Sequence, residues 1–188
     1  MDIFEAISTR RSIRKYKTDP VDDRTVETIL EAARQAPSWA NTQCWRFIVV
    51  RNSDTKTQLA EALLSFNPAQ KPNAYDAVKN APVVIVAVAE KGVSGSYGGK
   101  TTTDKGDTWY MYDVALAMEN LSLAAAASGL GTVHLGLFDV PKVASILGIP
   151  DSYAVVTMTP LGYPEVQPSP RPRKELTEIV FHEKFGQG

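Results

Sequence analysis

Apolar residues recur at the helical spacing in several stretches of the chain. The clearest stretch carries them at positions i, i+3, i+4 and i+7, namely at Val26, Ile29, Leu30 and Ala33. Asp22 or Asp23 can cap the start of this helix, and Pro37 ends it. Shorter helices are predicted over residues 2–9, 55–64 and 141–147.

The longest predicted helix, residues 108–128, is apolar around most of its circumference because it is rich in Ala, Leu and Met. A helix of this kind must be buried on nearly all sides. Two arrangements meet that requirement: a dimer core to which two chains contribute, and a central helix surrounded by its own chain. The pattern leaves both open. Gly129 and Gly131 suit the end of the helix.

Three short apolar runs rich in β-branched residues predict buried strands at residues 46–50, 82–88 and 153–158. A shorter strand is expected to pass through Val133. The polar, Gly-rich stretch from Lys91 to Asp107 predicts a mobile surface loop. From Pro168 onward the chain is expected to be extended, with a strand or an arm over residues 176–185.

Helices and strands alternate along a chain of 188 residues, which is a usual size for one domain with one core. We therefore interpret residues 1–188 as a single domain. Alternation does not decide whether the strands run parallel. We predict an α+β fold in preference to a doubly wound α/β fold.

Charge and composition exclude several function classes. A net charge of −1 lacks the basic excess expected for binding nucleic acid or anionic membranes. No apolar run approaches the roughly 20 residues that span a bilayer, and the acidic start does not resemble a secretory signal. Cys44 is the single cysteine, which favours a reducing compartment. We expect a soluble cytoplasmic protein without a metal site, binding neither nucleic acid nor membranes.

Two cationic segments stand near opposite ends of the chain. The first contains Arg10, Arg11, Ser12 and Arg14, and the second contains Arg171 and Arg173. Guanidinium groups bind phosphate oxygens in bidentate fashion, so these arginines and the hydroxyl suit a phosphate. Each segment alone is better explained as solvated basic surface. Their coincidence with the segment between them favours the phosphate.

That middle segment runs from Ser38 to Trp45. Asn41 and Gln43 each bring a donor and an acceptor, as the edge of a pyrimidine-dione ring requires. Trp39 could pack against a ring, whereas Trp45 opens an apolar strand and suits the core. Amides in such turns also satisfy their own backbone, so the residues alone leave both interpretations open. The three segments together suggest a phosphorylated heteroaromatic ligand.

The order of these pieces resembles the nitroreductase family of FMN enzymes over nearly the whole chain. Five motifs carry the resemblance ahead of the closing arginines: Arg10 to Arg14, Pro37 to Trp45, Ala117 to Ala125, Gly129 to Thr132 and Pro160 to Pro164. Each motif is weak alone, whereas the complete set in this order is specific. One departure is Cys44, which stands where the family usually has proline. We expect it to be a small buried hydrophobe.

The resemblance implies a central, mainly antiparallel sheet flanked by helices, and an intertwined homodimer with FMN at its interface. The phosphate and ribityl end would be held by Arg10, Arg11, Ser12, Arg171 and Arg173, with Arg14 nearer the pyrimidine edge. The flavin would be lined, partly from the partner subunit, by Ser38, Trp39, Asn41 and Gln43. One face of the ring would be backed, with a backbone N–H offered to N5, by His134, Leu135, Gly136 and Leu137.

The implied function is an FMN-dependent oxidoreductase with a ping-pong mechanism. Hydride would pass from NADH or NADPH through flavin N5 to an electron-poor acceptor such as a nitroaromatic or a quinone. The cofactor carries this chemistry, so no side chain is assigned a catalytic role, and His134 is given only a packing or backbone role. Arg14 would favour the anionic reduced flavin and so raise its potential.

Other functions stay open at this point. A flavin carrier or sensor without catalytic activity would keep the same cofactor residues. Some relatives of the family dehalogenate iodotyrosine or fragment the flavin, and the 91–107 loop could serve as their lid. A remote alternative is a nucleotide hydrolase, since Gly95 to Thr101 ends in Gly-Lys-Thr like a P-loop. Ser94 stands where that motif requires glycine.

Overall fold

The computed structural model describes residues 1–187. The helices in this part of the chain are α1 (Ile3–Thr9), α2 (Asp23–Arg34), α3 (Ser53–Glu61), α4 (Tyr75–Asn80), α5 (Tyr110–Ala127), α6 (Val140–Leu147) and α7 (Leu176–Ile179). The strands are β1 (Trp45–Val50), β2 (Val83–Glu90), β3 (Ser96–Tyr97), β4 (Lys100–Thr101), β5 (Gly131–Thr132) and β6 (Tyr153–Gly162). None of the described helices combines the length and the apolar character needed to cross a membrane.

The main sheet has the strand order β1-β2-β6-β5, and all its neighbouring strands are antiparallel. β2 pairs with β1 on one side and β6 on the other, with an irregularity in the β6 ladder between Ala87 and Val88. The α+β prediction with a mainly antiparallel sheet is therefore confirmed.

Both faces of the central strand β2 are covered by protein. Successive side chains of a strand point to opposite faces, and the two sets of β2 residues join two different hydrophobic clusters. Val83, Ile85 and Ala87 pack with residues of α2 and α5, whereas Val84 and Val86 pack with residues of α3 and α6. The predicted buried strand at 82–88 is thus confirmed, since Val83 through Ala89 are all buried.

Local signals in the sequence set the helix ends. Asp22 caps α2, where its carboxylate accepts the N–H of Thr25 at 2.9 Å. Asp139 caps α6 in the same way, since it accepts the N–H of Lys142 at 3.0 Å. Gly148 ends α6 with a φ of 64°, a left-handed conformation that glycine adopts without a steric penalty.

Three of the predictions need correction. The run at 46–50 is an edge strand with Arg46 and Val49 exposed, because β2 is its only neighbouring strand among the described residues. The stretch 91–107 contains the β3–β4 hairpin, and its base at Ser94 is buried, so it is more than a surface loop. In residues 176–185 the strand alternative is wrong, because they contain the short helix α7, whereas the exposure of residues 165–187 throughout is compatible with an arm.

Helix α5 is covered by its own chain along one side only. Val114, Ala117 and Leu121 are fully buried, but Met111 is 49% exposed and Tyr112 is 59% exposed. An apolar groove of about 340 Å³ runs along the uncovered side, beside strand β6. The described part of the chain therefore does not surround the helix completely.

Candidate functional site

Backbone pairing fixes the first cationic segment against the second half of the chain. Ser12 forms a parallel bridge with Thr132 of β5, and the N–H of Ile13 donates to the Thr132 carbonyl at 2.9 Å. The buried Ile13 side chain lies so close to Gly131 that a Cβ there would sit 2.3 Å from Ile13 Cγ1. The absence of a side chain at Gly131 is what allows this approach.

An open cavity of about 630 Å³ brings the two cationic segments together. Its lining includes every residue predicted to bind phosphate, together with Arg14: Arg10, Arg11, Ser12, Arg14, Arg171 and Arg173. These side chains come from segments about 160 positions apart in the sequence. A concentration of guanidinium groups at one cavity suits a phosphate ester.

The six residues differ in the partners they already have. Arg11 donates to the carbonyls of Ser8 and Arg10, at 2.7 Å and 2.8 Å. Arg10 lies 3.9 Å from the carboxylate of Glu119. Within residues 1–187, no hydrogen bond or ion pair engages the side chains of Arg14, Arg171 and Arg173. These three guanidinium groups are therefore available to an anion.

A second open cavity, of about 620 Å³, shares Arg14 and Arg171 with the first. Its lining contains the whole segment predicted to back a flavin ring, His134, Leu135, Gly136 and Leu137. Sequence reasoning missed part of its wall, which consists of Leu63, Leu64, Ser65, Phe66, Pro72, Asn73 and Ala74. The one available signal was the apolar run that extends past the α3 helix pattern, ending at Phe66, which is 96% exposed.

Residues 134–137 are held by backbone bonds on both sides. Leu135 exchanges two hydrogen bonds with Met158 of β6, at 2.9 Å and 3.1 Å. On the other side, the Leu64 N–H donates to the Leu137 carbonyl at 3.1 Å. A Cβ added at Gly136 would meet nothing within 4 Å, so this position opens to the cavity.

His134 contacts the hydroxyl of Ser122 and has a lowered pKa. Its pKa lies below the usual 6.5, chiefly because of lost hydration, while Glu119 opposes the shift and Arg10 adds to it. The Ser122 hydroxyl donates to the Met118 carbonyl at 2.9 Å, so its 2.9 Å bond with His134 Nε2 takes the imidazole N–H as donor. This arrangement orients the ring and does not require a catalytic role.

The middle segment, from Ser38 to Gln43, lines neither of the two cavities of its own chain. Asn41 and Gln43 are exposed, and Ser38 Oγ accepts the N–H of Gln43 at 2.9 Å. Ala40, Asn41 and Gln43 have φ values of 44°, 56° and 47°. Non-glycine residues in this region cost on the order of 1 kcal/mol each and are common at functional sites.

Trp39 belongs to an aromatic group at the base of that turn. Its ring packs against Trp109 with centroids 5.2 Å apart, and Trp109 in turn lies 5.6 Å from Tyr112. The Trp39 indole N–H is buried without a hydrogen-bond partner among the described residues. In this chain Trp39 therefore supports the turn, and its predicted place beside a flavin stays a prediction.

Comparison with known proteins now identifies the family. The model of the nitroreductase family matches residues 7–163. The chain belongs to the nitroreductase family. It is 33% identical to the NADH dehydrogenase of Thermus thermophilus, covering 96% of each protein. It is 30% identical to the 5,6-dimethylbenzimidazole synthase of Rhodospirillum rubrum, covering 86% of this chain and 82% of that protein.

Solved structures support the same assignment. A nitroreductase family protein from Clostridium novyi NT has a TM-score of 0.77 and 35% identity, covering 100% of this chain and 96% of that one. An iodotyrosine deiodinase bound to FMN and 3-iodo-L-tyrosine has a TM-score of 0.79 over 98% of this chain and 100% of that one, and at 23% identity it shows the shared fold. The protein is an oxidoreductase of this flavin-dependent family.

The residues that line the two cavities fit FMN, the cofactor of the nitroreductase family. One cavity is cationic and carries the hydroxyl of Ser12, as a phosphate and a ribityl chain require. The other combines Leu135 and Leu137 with the open Gly136 backbone, as a flat ring requires. Arg14 lies on the lining of both cavities, where it could contact a ligand that spans them.

Cys44, which replaces the usual proline of the nitroreductase family, is 1% exposed, as predicted for a small buried hydrophobe. Burial, reinforced by the neighbouring Asp113 carboxylate, raises the pKa of its thiol from 9.0 to about 11. A reactive thiolate needs the opposite shift. We therefore expect Cys44 to be an unreactive, buried residue next to the 38–43 turn.

The P-loop alternative is wrong. A P-loop is a continuous turn between a strand and a helix. Here Ser96–Tyr97 pairs with Lys100–Thr101 as a two-stranded hairpin, and Gly98 and Gly99 form its tip. The Gly-Lys-Thr sequence therefore lies partly in a strand and does not open a helix.

Proposed function

We propose that this nitroreductase passes hydride from NADH or NADPH, through bound FMN, to a small electron-poor acceptor such as a nitroaromatic or a quinone. The observation that carries the proposal is the pair of adjoining cavities that share Arg14 and Arg171, one cationic and one backed by residues 134–137. We further propose that residues 1–188 work as one domain in the cytoplasm.

Two guanidinium groups that form no hydrogen bond or ion pair within residues 1–187, those of Arg171 and Arg173, support the phosphate assignment. Arg171 and Arg173 would clamp the phosphate from the tail, while Arg10, Arg11 and Ser12 would meet it from the segment after α1. Charge-assisted bonds of this type are roughly twice as strong as neutral ones. The proposed clamp also gives the exposed tail a fixed position once the cofactor is bound.

The chemistry of the reaction resides in the cofactor. FMN, when bound, supplies hydride transfer at N5. Leu135, Gly136 and Leu137 would back the ring and offer a backbone N–H toward it, and Arg14 would stabilise negative charge at the pyrimidine edge. No side chain has to transfer a proton, which agrees with the His134 ring being engaged by Ser122 at 2.9 Å.

We propose that two copies of the chain form the active unit. The uncovered side of α5 presents an apolar groove, and burying it against a second copy would remove Met111 and Tyr112 from water. The Ser38–Gln43 turn lies outside the cavities of its own chain. In a dimer, Asn41 and Gln43 would complete the site of the partner subunit.

A spectrum of the purified, untagged protein tests the proposed function. We expect bound flavin bands near the usual visible wavelengths, and bleaching when NADH or NADPH is added without oxygen. The double variant Arg171→Ala and Arg173→Ala is expected to bind FMN far more weakly, while Lys174→Ala, the adjacent tail cation, serves as the matched control. A colourless protein that does not take up added FMN would overturn the proposal.

One similarity favours a second candidate function. The Rhodospirillum rubrum relative is named for 5,6-dimethylbenzimidazole synthesis and is 30% identical over 86% of this chain. Flavin fragmentation would release dimethylbenzimidazole from reduced FMN in the presence of oxygen. Chromatography of such a reaction distinguishes the two: the benzimidazole product indicates fragmentation, and intact FMN with reduced acceptor indicates the reductase.

A further inference from the structure

A buried carboxylate near the start of α5 joins two loops that no backbone pairing connects. Asp113 is 1% exposed and accepts the N–H of Trp39, with both oxygens 3.1 Å from the nitrogen. It also accepts the hydroxyl of Ser94 at 2.6 Å and lies 3.8 Å from Cys44 Sγ. Its donors therefore come from the 38–43 turn, from the base of the β3–β4 hairpin and from the residue that precedes β1.

Hydrogen-bond donors, and not a cation, hold the Asp113 carboxylate in place. Among residues 1–187, no Lys, Arg or His forms an ion pair with Asp113. A buried carboxylate requires several donors in good geometry when it lacks a counterion. The first turn of a helix adds a further favourable field for a negative charge.

The Asp113 carboxylate fixes one end of the 38–43 turn by a hydrogen bond. Three of its residues have positive φ, and such a backbone persists only where the surroundings fix it at several points. Asp113 holds the N–H of Trp39 at one end, and Ser38 Oγ holds the N–H of Gln43 at the other. The exposed Asn41 lies between these two fixed points.

The hairpin is attached to the same carboxylate. Ser94 is 1% exposed, and the next residue, Gly95, accepts the Thr102 N–H at 2.9 Å, which closes the hairpin's base. A Cβ at Gly95 would lie 2.8 Å from Trp109 Cβ, so the hairpin base packs directly on the residue before α5. Displacing the hairpin must therefore disturb the Ser94–Asp113 bond.

We infer that Asp113 is a positioning residue that holds the 38–43 turn in its flavin-binding conformation and couples that turn, through Ser94, to the β3–β4 hairpin. The inference rests on the proposed function, because the turn must contact FMN. It assigns the hairpin a specific role: its position responds to whether the cofactor is bound.

The first test is FMN affinity of the full chain freed of flavin. Asp113→Asn keeps the side-chain volume but offers one acceptor oxygen in place of two, and we expect FMN binding to weaken about tenfold, the effect of one lost charge-assisted hydrogen bond. Asn120→Ala is the matched control on the same helix, since it removes a side-chain bond to Ala32 of α2 and should leave FMN affinity unchanged.

Amide hydrogen exchange tests the coupling. In the wild-type chain, FMN should slow exchange both in residues 38–44 and in residues 94–102. In Ser94→Ala, FMN should still slow exchange in 38–44 but no longer in 94–102. A purely structural role for Ser94 would change exchange with and without FMN alike, so the difference caused by FMN is the decisive quantity.

The possible results separate the two proposals. A wild-type chain that does not bind FMN overturns the proposed function and this inference together. If the wild type binds FMN and folded Asp113→Asn binds it equally well, only the positioning role is overturned. If Asp113→Asn does not fold, Ser94→Ala decides: FMN-dependent protection of the hairpin in that variant overturns the coupling, and its loss supports it.

Discussion

Gly131 and Gly136 lack a side chain for different physical reasons. A Cβ at Gly131 would lie 2.3 Å from Ile13 Cγ1, whereas one at Gly136 would meet nothing within 4 Å. We expect Gly131→Ala to lower the free energy of unfolding by about 1–3 kcal/mol, the usual cost of overpacking a core. Gly136→Ala should change it by less than about 0.5 kcal/mol, as for a surface site. Urea unfolding of both variants checks this, and equal destabilisation would contradict it.

Cys44 is predicted to be unreactive in the folded protein. A thiol with a pKa of about 11, compared with 9.0, carries about 100-fold less thiolate at pH 8. Alkylation by iodoacetamide should therefore be slow in the native state and fast in urea. Because the folded pKa is the higher one, its contribution to stability is complete below pH 9 and is lost as the pH rises toward 11. Rapid native alkylation at pH 8 would show that the thiol is accessible.

Arg14 is predicted to set the flavin potential. Removing a cation near the pyrimidine edge destabilises the anionic reduced flavin, so Arg14→Ala should lower the two-electron potential by about 30 mV, corresponding to about 1.4 kcal/mol. Arg14→Lys keeps the charge and should recover most of the shift. Redox titration against reference dyes measures both variants, and an unchanged potential in Arg14→Ala would remove this role.

At the scale of elements, the N-cap of α6 is predicted to stabilise the fold next to the candidate site. Asp139 accepts the Lys142 N–H and directly follows the 134–138 segment. Asp139→Ala should lower the free energy of unfolding by about 1 kcal/mol, which is typical for losing an N-cap. Asp151→Ala is a control, because its backbone carbonyl, not its side chain, accepts a bond from Lys91. Thermal unfolding of the two variants should separate them.

Elements with strong local signals could be predicted from the sequence. The helical spacing of apolar residues identifies α2, because this helix buries a single face. The uninterrupted apolar run identifies β2, because this strand is buried on both faces. The edge position of β1 and the hairpin at 96–101 could not be predicted. Both depend on which strands pair with each other, and strand pairing is decided by the whole folded chain and not by a short stretch of sequence.

The candidate site also has residues that the sequence predicts and residues that it does not. The arginine segments follow from motif order, and the structure joins them at one cavity. Asp113 could not be found from the sequence, because an acidic residue in a mostly apolar helix gives the same pattern whether it is exposed, like Glu119, or bonded to Trp39. The wall formed by Leu63 to Phe66 was missed since its apolar residues resemble the end of a helix.

At the scale of the whole molecule, the uncovered side of α5 predicts a dimer in solution. Met111 and Tyr112 remain 49% and 59% exposed, which is costly for a helix with this apolar composition. Sedimentation equilibrium should give twice the 20.5 kDa chain mass. Met111→Glu should shift the equilibrium toward monomer and weaken FMN binding, whereas Gln58→Glu on α3 should do neither. A monomeric wild type that still binds FMN would contradict the prediction.

The pairing of the first cationic segment with β5 and with the chain beyond β6 has a consequence during synthesis. The N–H of Lys17 donates to the Tyr163 carbonyl, and the N–H of Glu165 donates to the Lys15 carbonyl. A ribosome must therefore translate nearly the whole chain before residues 10–17 can find their partners. In a nascent chain that stops before β6, residues 10–17 lack the partners at residues 163–165 that fix their position. If FMN binds between the two cationic segments as proposed, it can bind only after residues 171–173 have been synthesised.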